Sequence, residues 1–422
     1  MLLTDEESRM LSGELGEGVR IAAHTLVALG ESQGAARLVP IRRAHAICSV
    51  DALACDPGLS VQGGLVFLEK LLDGGARCRD DVMLTLQPPG IDLGQYVRMG
   101  VSVEYADLQI RILEALKRLG AVPAFTCVPY LSVNTPAFGE RVAFGESSVA
   151  VYANSAIGAR TNRESGPTPI CAAILGRIPE YGLLLDENRR GQVLVHVTAR
   201  LDSPSDFGLL GAYLGARLQD QIPVLEGLAS GMSEEELKYL GSCLSVTGSV
   251  SMFHVVGVTP ESPTREAAFG TRAPDAVISV TDAEMRETRE LLRAFDGPVD
   301  LVLLGNPQYS LRELATAARL LAGRRVCASV RLFVCTDAFQ RLLADRLGYV
   351  RAIEGAGGEV VDICGCGVRE TRIGKHAVHG FQRVVTDGVK SALYIRDGGH
   401  AQVVVGSAEE CVAAAVSGRW PA

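Results

Sequence analysis

Short apolar runs alternate along the chain with stretches in which apolar positions recur at helical spacing. The run VDLVLLG is typical, since it is short and strongly apolar and a helical pattern follows it. This alternation is typical of α/β folds with parallel sheets. We predict strands at six such runs, residues 122–126, 192–198, 250–258, 299–305, 329–334 and 358–363.

Several helix starts carry a capping box, in which an N-cap hydroxyl is followed three residues later by a glutamate. The pairs are Thr4 with Glu7, Thr281 with Glu284 and Ser407 with Glu410. They indicate where helices begin and say nothing about function.

The chain has 422 residues, more than one hydrophobic core usually serves, so two or three lobes are expected. The run 257–274 is rich in turn residues and lacks helical periodicity, and we interpret it as a lobe boundary.

Charge and apolar content narrow the class of protein. The chain is 47% apolar and carries a formal net charge of -8, so it lacks the excess of cations that binding to nucleic acid requires. No apolar run reaches the length of a membrane span, and the N-terminal residues are acidic, which favours the cytoplasm. The 11 cysteines are scattered, so we expect most of them to be reduced.

Three positions that could carry chemistry follow predicted strands. Asn306, Cys335 and Cys364 are spaced 29 residues apart, the length of one βα unit, so they could line the carboxyl edge of one sheet. Cys127 also follows a predicted strand. Thiolates at such positions can bind an iron–sulfur cluster or a soft metal ion, with Cys127, Cys364 and either Cys335 or Cys366 as ligands. The alternative for each is an ordinary buried cysteine.

The polar block GESSVAVYANSAIGARTNRE, residues 145–164, stands out in an apolar chain. If its first part is helical, Ser148, Tyr152 and Ser155 share one face. Two arginines with nearby amides can hold a carboxylate or phosphate, and Arg160, Asn162 and Arg163 offer that set. The alternative is a patch of salt bridges at a helix end.

The turn TDGVK at 386–390 offers a second contact for an anion. It follows a strand-like run and places Lys390 early in a helical pattern.

Longer motifs resemble a known family. The segments AFTCVPYLSVNTPAFGERVAFGESSVAVYANSAIGARTNRE, CAAILGRIPEYGLLLDENR, MFHVVGVTPESPT, LGNPQYSLRELATAARLLAGRRV, VVDICG and TDGVKSALY strongly resemble the large subunit, or catalytic region, of aconitase X. The resemblance covers nearly the whole chain.

The resemblance implies a dehydratase related to aconitase, with about three α/β lobes around a central cleft that holds an iron–sulfur cluster. Tentative lobes are residues 1–200, 201–274 and 275–422. Family reactions remove water from cis-3-hydroxy-L-proline or from mevalonate 5-phosphate. A small swivelling domain closes the site in the family; it is absent from this sequence, so a separate small subunit is the implied partner.

The resemblance also assigns roles to residues. Cys127 and Cys364 match cluster cysteines, and Arg160, Arg163 and Lys390 are the cations expected to act in catalysis. The residues expected to bind the anionic substrate are Ser147, Ser148, Asn154, Ser155 and Asn162.

Several positions depart from the family pattern. Asn306 stands where the family has its third cluster cysteine, and an amide oxygen is a poor substitute for a thiolate toward iron. Gly388 replaces a usual serine, Leu184 a histidine and Phe144 a tryptophan. Cys335 or Cys366 could supply the third ligand, or the site could hold a different metal or none.

We therefore expect a hydro-lyase that acts on a small hydroxy acid, with cis-3-hydroxy-L-proline slightly preferred over mevalonate 5-phosphate. The competing hypothesis is a protein that keeps the fold and the anion pocket, lacks the cluster, and either binds an anionic ligand or partner without turnover or has altered chemistry.

Overall fold

A computed structural model describes residues 1–50, 63–89, 91–94, 96–97, 101–164, 166–364, 380–398 and 401–421. These residues form three parallel β-sheets packed with helices, together with two small antiparallel pairs of strands.

The first sheet belongs to the N-terminal part of the chain. Its elements are α1 (Asp5–Ser12), α2 (Glu17–Ser32), β1 (Leu38–Pro40), β2 (Arg43–Ala46), α3 (Gly63–Asp73), β3 (Met83–Leu86), α4 (Val103–Leu119), β4 (Ala143–Phe144), α5 (Ser147–Tyr152), α6 (Thr168–Leu175) and β5 (Arg177–Pro179). The sheet has the order β3-β2-β4, while β1 and β5 form a separate antiparallel pair. A π-helical segment, Ala153–Ile157, continues α5.

The second sheet follows directly. Its elements are β6 (Val193–Val197), α7 (Pro204–Leu218), β7 (Pro223–Glu226), α8 (Glu234–Thr247), β8 (His254–Val255), α9 (Arg265–Phe269), β9 (Ala276–Val280) and α10 (Asp282–Glu290). The parallel order is β8-β7-β6-β9. Strand β9 begins after residue 274 and pairs with β6, so this sheet takes strands from both sides of that position. The tentative lobe limits stay a prediction.

The third sheet has five parallel strands. Its region contains β10 (Gly297–Pro298), β11 (Leu301–Leu304), α11 (Leu311–Leu321), β12 (Arg331–Cys335), α12 (Ala338–Arg346), α13 (Tyr349–Gly355), β13 (Glu359–Val361), β14 (Arg383–Thr386), α14 (Val389–Gly398), β15 (Gln402–Val405), α15 (Ala408–Ser417) and β16 (Arg419–Trp420). The sheet order is β13-β12-β11-β14-β15, and β10 pairs with β16.

The central strand β11 shows why this sheet lies next to the others. All four of its residues are buried, as expected for a strand covered on both faces. Leu301 and Leu303 belong to the large apolar core shared with the first two sheets, whereas Val302 and Leu304 belong to a second core on the opposite face. One face of the third sheet is therefore continuous with the rest of the protein.

The predicted α/β class with parallel sheets is confirmed, as are the three capping boxes and the helix at the start of the polar block. The strand predicted at 122–126 is wrong. Val122 forms only an isolated bridge to Thr85. Pro123 cannot donate to a ladder, and Phe125 has a left-handed φ of 46°, so regular pairing is interrupted, although the Thr126 N–H still donates to the Leu86 carbonyl.

Candidate active site

Residues 305–310, which we call the junction turn, connect β11 to α11 and contact distant parts of the chain. Gly305 begins the turn with a φ of 94°, and a Cβ at this position would lie 2.7 Å from the carbonyl oxygen of Cys335. Glycine is needed here both for the backbone conformation and for the close approach.

Gln308 is the most connected residue of the junction turn. Its backbone N–H donates to the Cys127 sulfur at 3.2 Å, and its Oε1 accepts from the Cys127 N–H at 2.8 Å. Its Nε2 lies within hydrogen-bond distance of the carbonyls of Phe125, Thr336 and Ile363. One buried amide thus joins the segment that carries Cys127 to the ends of β12 and β13.

The junction turn also meets Cys364. The Cys364 thiol contacts Asn306 Oδ1 at 3.5 Å, and Asn306 Nδ2 donates to Ser391 Oγ at 2.9 Å. Cys127 and Cys364 are separated by most of the chain, yet both sulfurs contact residues of this one turn. The structure therefore brings the two cysteines into one buried site.

The other predicted ligands are placed differently. Cys335 is fully buried at the end of β12, where its carbonyl accepts from the N–H of Tyr309. Cys366 lies outside the described residues. Among the residues that the structure describes, no three His, Cys, Asp or Glu side chains are grouped to hold a metal, so Cys335 does not complete such a group with Cys127 and Cys364.

Buried charges hold the junction turn in place from two sides. Asp387 accepts hydrogen bonds from the Gly305 N–H, at 3.0 Å, and from the hydroxyls of Tyr239 and Tyr309. Burial raises the pKa of Asp387, although these donors oppose the shift. On the other side, Lys238 donates to the carbonyl of Gln308 at 3.0 Å and forms an ion pair with Glu313.

Lys390 lies in the first turn of α14 and forms a buried ion pair with Glu146, at 3.1 Å. Its ammonium also donates to the Ser148 hydroxyl. Glu146 is the N-cap of α5 and accepts from the Val149 N–H at 2.8 Å. Burial acts to raise the pKa of Glu146, but Lys390, the Val149 N–H and His45 together outweigh it, so the pKa is lowered. The pair is a fixed charged group that joins α5 to α14.

Three predicted substrate ligands from the polar block make hydrogen bonds within the protein. Asn154 donates to the carbonyls of Thr161 and Ser251, and its Oδ1 accepts from the Thr161 N–H. Ser155 Oγ accepts from the Phe253 N–H at 2.8 Å. Asn162 pairs with the backbone of residues 181 and 183. These side chains have a clear structural use.

The remaining candidates in the block differ in availability. Arg160 is paired with Asp186 and donates to the carbonyl of Leu184. Arg163 is exposed, and it has no hydrogen bond or ion pair among the described residues. Ser147 is half-buried beside Ser148 at the start of α5. Of the two arginines, Arg163 is thus the one without an ion pair among the described residues.

Sequence reasoning missed Gln308 and Glu146. The signal for Gln308 was a polar residue directly between a buried strand and a helix cap. Glu146 had an N-cap position before a helix, but its lysine partner lies 244 residues away. Tyr130 was missed too. Its phenol is buried, stacks on Tyr152 and has no hydrogen-bond partner among the described residues.

Asp362, two residues before Cys364, is an acid with a raised pKa. Burial raises its pKa to about 7, and the nearby carboxylates of Asp337 and Asp92 act in the same direction. Its backbone N–H donates to Asp92 at 3.3 Å. The carboxyl is therefore mostly neutral in the folded protein only below about pH 7.

Together these features define a parallel α/β protein with two thiols and a buried lysine–glutamate pair where its sheets meet. Models of the aconitase X first, second and third domains match residues 1–187, 191–290 and 299–417. The chain belongs to the aconitase X family, and the predicted family is confirmed.

Similar proteins are known by sequence and by structure. The phosphomevalonate dehydratase large subunit of Methanothermobacter thermautotrophicus is 40% identical, with 92% of each chain covered. That of Methanocaldococcus jannaschii is 34% identical over 97% of this chain and 99% of its own. The cis-3-hydroxy-L-proline dehydratase of Pseudomonas aeruginosa is 36% identical over 99% of this chain but only 70% of its own.

The solved structure of Thermococcus kodakaraensis aconitase X in its holo-form superimposes with a TM-score of 0.87 at 34% identity, covering 98% of this chain and 100% of the other. This agreement confirms the predicted aconitase-like fold. In the part of the chain that is described, no helix is both long and apolar enough to cross a membrane.

Proposed function

We propose that this chain is the large subunit of an aconitase X-type hydro-lyase that removes water from a small hydroxy acid in the cytoplasm. The observation that carries the proposal is the meeting of Cys127 and Cys364 at the junction turn. Their sulfurs are reduced and lie beside groups from several parts of the chain. Thiols gathered in this way are suited to hold a metal centre.

The family resemblance implies that this centre is an iron–sulfur cluster. Cys127 and Cys364 have the thiolate chemistry that iron requires, and Asn306 offers an amide oxygen 3.5 Å from the Cys364 sulfur. The described residues thus fit a centre held by two thiolates and do not form a set of three. When bound, the iron would act as a Lewis acid toward the departing hydroxide.

The chain's own residues would supply charge and orientation. Loss of a β-hydroxyl builds negative charge next to the substrate carboxylate, and fixed cations stabilise that charge. Lys390 is held in place by Glu146 and Ser148, and because Glu146 offsets its charge it would act as a fixed hydrogen-bond donor beside that charge. Arg163 would bind the carboxylate, while Arg160, through Asp186, would orient the loop that carries Arg163.

Among the candidate substrates, cis-3-hydroxy-L-proline fits the available charge best. Two of the three candidate cations, Arg160 and Lys390, already pair with carboxylates, which leaves Arg163 for an anion. One guanidinium suits a single carboxylate. Mevalonate 5-phosphate carries a phosphate as well and would need further cations.

Mevalonate 5-phosphate is the second candidate because of chain length. The two phosphomevalonate dehydratase large subunits described above match this chain over 92% and 99% of their own lengths. The cis-3-hydroxy-L-proline dehydratase matches over 70% of its length, so it carries a further portion. We infer a separate small subunit as the partner from the names of the two large subunits.

The test is anaerobic purification with the small subunit, followed by incubation with each acid and mass spectrometry of the products. We expect loss of one water from cis-3-hydroxy-L-proline. If only mevalonate 5-phosphate lost water, it would replace cis-3-hydroxy-L-proline as the proposed substrate. An iron-loaded complex that dehydrates neither acid would refute the proposal, and an iron-free complex that binds an acid unchanged would support the ligand-binding alternative.

A further inference from the structure

We propose that Ser391 and Gly388 position the Asn306 amide against Cys364, so that residue 306 gives the metal centre an amide in place of a third thiolate. This inference rests on the proposed function, since it concerns the same site. It assigns positioning roles to Gly388, directly before α14, and to Ser391, in the first turn of that helix.

The contacts of Asn306 fix its orientation. The side chain is buried, and its Nδ2 donates to Ser391 Oγ at 2.9 Å. With that end held, the other end of the planar amide faces the Cys364 sulfur, 3.5 Å away. Ser391 is itself fully buried, so water does not compete for the amide.

Gly388 permits this arrangement by its size. A Cβ at residue 388 would lie 3.2 Å from the Cβ, N and O atoms of Asn306, closer than ordinary van der Waals contact. The need for glycine is therefore one of space. A larger residue would push the turn away from Asn306 and lengthen the hydrogen bond that Asn306 donates to Ser391.

The chemical consequence follows from ligand type. A thiolate is soft and carries a charge, whereas an amide oxygen is neutral and hard, so iron–sulfur centres favour the thiolate. A site with two thiolates and an amide should take up less iron and sulfide than one with three thiolates. The two departures at Asn306 and Gly388, far apart in sequence, thus form one structural unit.

A double-mutant cycle tests the proposal. Wild type, Asn306→Cys, Ser391→Ala and the double variant are purified with the small subunit and reconstituted anaerobically with ferrous iron and sulfide. We expect Asn306→Cys to bind several-fold more iron and sulfide and to absorb more strongly in the visible range. Ser391→Ala should reduce iron uptake in wild type and leave it unchanged in the Asn306→Cys background.

Ser245→Ala is the matched control, because Ser245 is a buried serine of α8 whose hydroxyl bonds to the Ser242 carbonyl. It should leave iron uptake unchanged, and thermal unfolding verifies that each variant folds. Gly388→Ala should lower iron uptake in the same direction as Ser391→Ala but by less.

Equal iron content in wild type and Asn306→Cys would overturn the proposal, and loss of iron on Cys366→Ser would then identify the third thiolate. An equal effect of Ser391→Ala in both backgrounds would refute its positioning role. Dehydratase activity is measured separately. If the variants show the predicted iron uptake but the complex does not turn over substrate, only the proposed function is refuted. If the complex turns over substrate but the variants do not show the predicted iron uptake, only this inference is refuted.

Discussion

The polar block at 145–164 and the junction turn at 305–310 are both rich in hydrogen-bonding groups, but their amide side chains serve different contacts. Asn154 bonds to Thr161, seven residues away, and Asn162 bonds to Leu183, 21 residues away. Gln308 bonds to Cys127, 181 residues away. These two amides serve the block's own loop, although the block also makes distant bonds through Glu146 to Lys390 and through Ser155 to Phe253; the turn, by contrast, joins the two segments that carry the thiols. A high density of polar residues therefore does not by itself locate a site.

The largest effect is expected from Lys390, through which the block is tied to α14. Lys390→Met would leave Glu146 buried without its cation, and such an unpaired charge costs about 3–5 kcal/mol of folding free energy. Chemical denaturation would measure the loss. The double variant Lys390→Met/Glu146→Gln should recover most of it, and a double variant as unstable as the single one would contradict this account.

Gln308→Ala tests the junction turn. Removing the amide leaves buried backbone groups of three segments unpaired, with an expected loss of about 1–3 kcal/mol. Because both thiols depend on this turn, iron uptake after anaerobic reconstitution should also fall.

Gln109→Ala provides the matched control. Gln109 is equally buried, and it bonds the backbone of Cys48 and Val50 instead of the junction turn. It should lower stability by a similar amount and leave iron uptake unchanged. Equal iron loss in both variants would mean that Gln308 acts only through general stability.

The fold was largely predictable because its signals are local. The run VDLVLLG gave the central strand β11, and the hydroxyl–glutamate pairs gave helix starts. The strand at 122–126 failed because a favourable apolar run was overridden by Pro123 and the left-handed Phe125. The apolar pattern predicts which segments are buried, whereas the backbone conformation of single residues decides whether a segment pairs as a strand.

The site was predictable only where a residue type implies chemistry. Cys127, Cys364 and Lys390 could be singled out as thiol and cation, but the spacing that suggested Cys335 as their partner did not bring it into a three-residue group with the two cysteines. Gln308 was missed, because its importance comes from contacts across the chain. No local pattern encodes those contacts.

A smaller effect is expected for Asp362, at the edge of the site. Its folded pKa of about 7 lies above its ordinary value of 3.8, so ionisation is costly in the folded state and stability falls as pH rises from about 4 to about 7. Asp362→Asn should therefore stabilise the iron-free protein at pH 8, by a fraction of the roughly 4 kcal/mol that linkage allows, and have little effect near pH 4. Melting temperatures at both pH values measure this, and a gain that does not depend on pH would contradict it.

The smallest effect on stability is expected for Arg163. Within the polar block, it can be compared directly with Asn154, whose side chain bonds within the protein. Arg163 is exposed and has no ion pair among the described residues, so Arg163→Ala should change stability by within about 0.5 kcal/mol. If it binds the substrate carboxylate, the KM of the assembled complex should nevertheless rise several-fold. Asn154→Ala should do the reverse, lowering stability while the folded fraction keeps its KM, because its amide already bonds Thr161 and Ser251. A rise in KM for Asn154→Ala with none for Arg163→Ala would contradict this assignment. It would mean that Asn154 binds the substrate and that Arg163 does not.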